Sequence, residues 1–206
     1  MPSVTSKDSL IRYAVEAVLI VLSVLLALYL DQTFENRREA RHVAELVGHI
    51  SEEIQGNLEI LDDWLPYHED VRARIESHLE SSDGIQQLIN GGVVDYGSLM
   101  ERGLIQELYS TTAWQIALQT EITSSLEFEA VSAVSNAYLS QQLVDQTLLR
   151  LSDFFFDRNV HDAEQLEASL GLLRNLMQEL AGQEHVLRSA YQDALQALDA
   201  RYGPSH

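Results

Sequence analysis

From residue 14 to residue 29 every position is apolar except Glu16 and Ser23. Taken from 10 to 30 the run is 21 residues long, and at a rise of about 1.5 Å per residue a helix of that length spans about 31 Å, the hydrocarbon thickness of a bilayer. A secretory signal would carry a shorter apolar core, roughly 7–15 residues, followed by a small-residue cleavage site. Here the run leaves through Tyr29-Leu30-Asp31-Gln32-Thr33-Phe34, without an A-x-A pattern. The pattern predicts a membrane-spanning helix over 10–30, preceded by a tail over 1–9.

Beyond it the pattern changes to one of helical period. Val43, Val47, Ile50, Ile54, Leu58, Leu61 and Leu65 recur every three or four residues, which predicts a long amphipathic helix over 31–65. Pro66 is expected to bend or end it, lacking an N–H and clashing with the preceding turn. Val71, Ile75 and Leu79 mark a shorter helix that stops near Ser81-Ser82-Asp83-Gly84. In the middle, 85–89 reads as one or two helical turns and Asn90-Gly91-Gly92 as a loop. Val93-Val94 is too short to predict a strand. A helix is expected over 98–108, and Ser110-Thr111-Thr112 as the cap of another over 113–119, with Trp114, Ile116, Ala117 and Leu118 in the core.

Two long helices follow, over 126–156 and from 166 on. The second is nearly a strict heptad: Leu166, Leu170, Leu173, Met177, Leu180, Leu187, Tyr191, Ala194 and Leu198. Glu184 falls at the heptad position between Leu180 and Leu187, just after Gly182, and reads as a kink or an exposed turn. The fold class expected is all-α: a transmembrane helix continuing into a long helix, with an antiparallel acidic helical bundle over 31–202 and a short tail over 203–206.

Charge narrows the partners. The formal net charge is −19, with 32 acidic residues, and the basic residues are one Lys and twelve Arg. Such a surface repels nucleic acid and anionic lipid headgroups, so neither is an expected partner of the soluble part. The absence of Cys excludes disulfides, thiolate metal sites and Cys nucleophiles, and is compatible with cytoplasm or periplasm.

Several residues stand out near the anchor. Arg12 and Glu16 are four apart, share a helix face and can pair. An ionisable group so near the hydrocarbon is costly unless paired, snorkelling to the interface, or facing another helix. Tyr13 and Tyr29 lie at the two ends, where aromatic belts form. Lys7, Arg12 and the terminal amine on one side nearly balance Arg37, Arg38 and Arg41 on the other, so the positive-inside rule does not fix orientation.

The stretch RYAVEAVLIVLSVLLALYLDQTFENRREAR resembles the amino-terminal signature of a bacterial family of single-pass membrane proteins of unknown function. Tyr13, Ala14, Glu16, Phe34, Glu35, Asn36 and Arg37 carry the likeness over about 30 residues, with Phe34 where relatives carry Trp, and Thr112-Ala113-Trp114 is similar to a second recurring patch. The resemblance implies a bitopic inner-membrane protein with an outward-facing, periplasmic domain, and no activity.

Chemistry-bearing motifs are sparse. Di-iron bundles need Glu-x-x-His twice on facing helices. Glu39 and His42 supply it once, with Glu45 and His49 nearby, and solvated helix surface is the simpler reading. Tyr67-His68-Glu69-Asp70 and His161-Asp162-Ala163-Glu164 sit at predicted helix starts, where carboxylates cap. No G-x-S-x-G elbow, phosphate loop or dinucleotide fingerprint occurs. No catalytic, cofactor-binding or metal-ligating residue is therefore assigned. Phe154-Phe155-Phe156 sweeps about 200° of a helix, so one face cannot bury all three rings; they plug the core, or one lies at an oligomer or partner contact.

The expected function is non-enzymatic: a membrane-anchored interaction or scaffold module, self-associating or bound to another membrane protein. The alternative is a sensor or accessory subunit of a membrane complex. A pore lined by Glu16 and a metalloenzyme using Glu39, His42 and His49 stand behind these.

Overall fold

The computed structural model describes residues 6–103, 108–120 and 122–203, and side chains from Tyr13 on, those of Ala14, Val15 and Ala17 excepted. The fold is all-α, as the period predicts. The chain divides into two compact units, Met1–Glu45 and Leu46–His206.

The first unit belongs to helix α1, Ser6–Leu79. Its apolar stretch reaches a mean hydropathy of 1.7 over 18 residues, with none of that window buried. A core helix of a soluble protein would hide one face, whereas here every side chain from 18 to 30 is exposed. This is a helix long and apolar enough to cross a membrane. Ser23 fits the run because its hydroxyl donates to the Leu19 carbonyl at 2.7 Å, four residues back.

The second unit is a helical bundle of α1 from Leu46 on, α4 (Phe128–Phe156) and α5 (Leu166–Tyr202). Cross-helix pairs give the directions. Arg201 meets Glu127 and Glu129, and Arg150 meets Glu179, so α4 and α5 are antiparallel. Asp62–Arg188 and Glu69–His185 set α1 antiparallel to α5, while Glu53–Tyr138 and Asn57–Gln141 set it parallel to α4. Each helix turns a three-four seam inward: Ile50, Ile54, Asn57, Leu61, Leu65, His68, Val71 and Ile75 on α1, and the predicted heptad on α5.

Three expectations are corrected on α1 and α5. Pro66 does not end the helix, which runs unbroken to Leu79; Asp62 and Pro66 are both exposed, so the hydrogen bond that proline cannot make is lost on the solvent side of the helix. The inward seam passes through Asn57, leaving Leu58 half-buried. Glu184 is neither a kink nor an exposed turn: it is fully buried at a core position of an uninterrupted helix.

Between α1 and α4 lie short elements. α2 (Ser82–Gln87) is capped by the Ser81 hydroxyl, which accepts from the Gly84 N–H at 3.0 Å. Gly84 is required by close approach, since a Cβ there would stand 2.7 Å from the His78 carbonyl oxygen. β1 (Ile89–Asn90) pairs antiparallel with β2 (Val93–Val94), Ile89 opposite Val94, around Gly91 and Gly92. Both glycines have positive φ, 59° and 83°, as a two-residue hairpin turn demands. The described part of 98–108 is turn rather than helix, and its remaining residues lie outside those described. Arg102 holds this segment to α1, its guanidinium 4.3 Å from the Trp64 ring centre and paired with Asp63 at 2.5 Å.

α3 is Thr112–Gln119, but its cap is not the predicted local one: Thr111 makes no side-chain cap bond. Glu53 of α1 serves instead, its carboxylate accepting from the backbone N–H of Ala113 at 2.9 Å and of Trp114 at 3.4 Å. Within α3, Trp114 and Ala117 are buried, while Ile116 and Leu118 are exposed. After α4, the Asp157 and Asp162 carboxylates cap the turns Arg158–His161 and Ala163–Gln165.

Candidate functional site

Polar groups at seam positions of the bundle find partners across it. Asn57 matches both backbone groups of Ser110, donating to its carbonyl and accepting from its N–H, each at 2.8 Å. The same amide donates to Gln141 Oε1 at 3.3 Å, which also accepts from the Tyr191 hydroxyl at 2.8 Å. One turn of α1 earlier, Glu53 accepts from the Tyr138 hydroxyl at 2.5 Å and the Ser110 hydroxyl at 2.7 Å. Burial pushes the Glu53 pKa up, but these hydrogen bonds and those of the α3 N–H groups outweigh it, leaving it below its ordinary value. Burial and the Glu53 carboxylate push the Tyr138 pKa well up, so the phenol stays protonated and donating.

Beside this network lies a cavity of about 690 Å³. On one side stand Leu148, Leu151 and Phe155 of α4, and on the other Tyr96 and Met100 of 96–103 and Tyr109 of 108–111. Tyr96 is fixed by its hydroxyl, which donates to the Val160 carbonyl at 2.6 Å, and by edge-on packing with Phe154 and Phe155. Burial raises its pKa to about 12. Thr111, Asp145 and Ser152 bring oxygen atoms to the otherwise apolar wall. An adjoining hollow of about 440 Å³, walled by the stacked rings of Trp114 and Tyr138, shares Thr111 and Asp145 with the first.

Asp145 is therefore at the junction. It is half-buried, and burial raises its pKa, an effect partly opposed by a hydrogen bond from Gln141. Among the described residues no basic side chain pairs with it. A concave, mostly apolar wall with a few convergent polar groups and one carboxylate with a raised pKa has the make-up of a ligand site. Another hollow, about 550 Å³ between α4 and α5, offers less: Gln183 is bonded to Thr147, and Glu179 to Arg150.

A second buried constellation is His68 with Glu184. His68 Nδ1 lies 2.8 Å from Glu184 Oε1, and both side chains are fully buried. His68 Nε2 and Glu184 Oε2 are buried without a hydrogen-bond partner among the described residues. This corrects the reading of 67–70 as a helix start, since His68 is mid-helix and in the core.

The residues singled out from sequence fall elsewhere. Tyr13, Glu16 and Tyr29 are exposed in the first unit, and the side chain of Arg12, with its expected pairing to Glu16, lies outside those described. Phe154 is buried, Phe155 half-buried, and Phe156 is 83% exposed at the cavity rim. His42 and Glu45 approach to 3.8 Å, and His49 and Glu52 to 3.7 Å, all four exposed. Among the described residues no three His, Asp or Glu side chains stand close enough to hold a metal ion. Asp145, Glu53 and Asn57 had no local signal: each is one polar residue on a long helix, and its role comes from partners distant in sequence. No protein-family model matches the chain, and neither a curated protein nor a solved structure matches it.

Proposed function

We propose that this chain is a membrane-anchored, non-catalytic interaction module, and that its helical unit serves a membrane complex as a sensor or accessory part. The observation that carries this reading is the cavity at Asp145, about 690 Å³ in volume, within the range of small-molecule sites. A carboxylate held in a half-buried, unpaired state costs stability, and such a cost is commonly kept at sites of function. The exposed apolar stretch of α1 supports attachment to a bilayer, and the resemblance of the amino-terminal signature supports an inner-membrane setting with the bundle outside.

The test is photo-crosslinking in intact cells. A benzophenone amino acid at Ser152, in the cavity wall, should yield a defined adduct, of a small molecule or of a partner chain, that the same group at exposed Glu59 does not. Equal products from both positions, or none from Ser152, would contradict the reading.

Self-association is a second reading, favoured by exposed apolar side chains along α4: Phe128, Leu139, Leu143 and Leu149, between half and five-sixths exposed. Mass of the detergent-solubilised chain should then fall to that of a monomer when Leu139 and Leu143 become Glu. A mass that falls with Glu16→Ala instead would place the contact in the anchor.

A further inference from the structure

We propose that the cavity beside α4 takes an organic cation, an ammonium group carried on an apolar body. The inference rests on the cavity being the functional site and names the class of ligand it admits.

Asp145 is the one carboxylate among the described residues lining the cavity, and no basic side chain is present in that lining. Its carboxylate is supported by the Gln141 amide and by little else, and burial leaves the charged form under-compensated. A cation placed against it supplies the missing charge; an anion meets repulsion here and from the −19 charge of the chain. The wall offers aromatic rings at Tyr96, Tyr109, Phe155 and Phe156, the surfaces on which ammonium groups rest.

The same wall argues against an inorganic ion. Calcium takes about 6–8 oxygen ligands, whereas this lining provides one carboxylate, the hydroxyls of Thr111 and Ser152 and two tyrosine phenols, that of Tyr96 bonded to Val160, beside Leu148, Leu151 and Met100. An amine bearing carbon substituents loses less on leaving water and gains from the apolar surface, so the two features of the cavity select the same molecule.

The chain has no Cys, so Ser152→Cys places one thiol in the cavity wall, and its alkylation rate by iodoacetamide reports occupancy. The full chain in phosphatidylcholine nanodiscs is titrated with three probes of one body: phenethyltrimethylammonium, phenethyl alcohol and phenylacetate. The cation should protect the thiol at a concentration at least about tenfold lower than the alcohol, and phenylacetate should not protect. Asp145→Asn in the same background should abolish the advantage of the cation, and Asp145→Glu should retain it, with helical circular dichroism verifying the fold of both. Protection by the alcohol equal to that by the cation would overturn the ligand class while the cavity remains a binding site. Absence of protection by all three probes would overturn both readings. An advantage that survives Asp145→Asn would overturn the assignment to this carboxylate.

Discussion

At the scale of single residues, the bundle keeps ionisable groups where a simple core would hold leucine. His68 and Glu184 meet at 2.8 Å in full burial, each the other's one hydrogen-bond partner, with His68 Nε2 and Glu184 Oε2 left without one among the described residues. His68→Leu alone is expected to cost about 3 kcal/mol, because it leaves the buried Glu184 carboxyl group without its hydrogen-bond partner. The double replacement, Leu at both positions, should recover most of that loss; urea denaturation of the two singles and the double gives the cycle. Asp145 behaves oppositely. Its folded pKa lies above the ordinary value of 3.8, so its ionisation destabilises the fold at neutral pH and that penalty fades as pH falls towards 3.8. Asp145→Asn should therefore raise Tm by roughly 2 °C at pH 7, with the gain gone near pH 3.5, as thermal melts across pH would show. None of these three roles was legible from sequence. Glu184 occupies the heptad position between Leu180 and Leu187, yet a carboxylate there reads as a break, since nothing local announces a histidine 116 positions away.

At the scale of elements, periodicity was the reliable signal and local rules the fallible ones. The α5 heptad and the α4 limits follow from apolar spacing, because burial of a stripe outweighs propensity. Pro66 misled because the cost of a lost hydrogen bond depends on where it falls, and here Asp62 and Pro66 are both exposed to water. Pro66→Ala should stabilise the bundle by about 1–3 kcal/mol, measured by denaturant unfolding. The start of α3 misled for another reason: its donors are met by Glu53, 60 residues away, rather than by the Ser and Thr beside them. Glu53→Gln should cost about 1–2 kcal/mol and raise amide exchange over 113–119. The sign with pH follows from the lowered pKa: the Glu53 contribution is present above its ordinary value of 4.5 and is lost as pH falls through the lower folded value. The gap between wild type and Glu53→Gln should close in acid.

At the scale of the whole molecule, two features define the account: an apolar stretch of α1 with no protein covering it, and a bundle with a receptive cavity. The first was plain in the sequence, since an apolar run broken between 14 and 29 by Glu16 and Ser23 alone needs no partner to be recognised. The cavity was invisible there, because α4 and the stretches 96–103 and 108–111 are brought together only by the fold. Attachment to a membrane is the claim on which the functional reading stands. The chain has no Cys, so single cysteines at successive positions from 6 to 42 can be tested in intact membranes with a water-soluble maleimide. A continuous block of about 20 unreactive positions ending near Leu30 is expected, with reactivity on all faces from 34 to 42. Protection recurring every three to four residues would mean one face packed against protein in water, and would contradict attachment to a membrane.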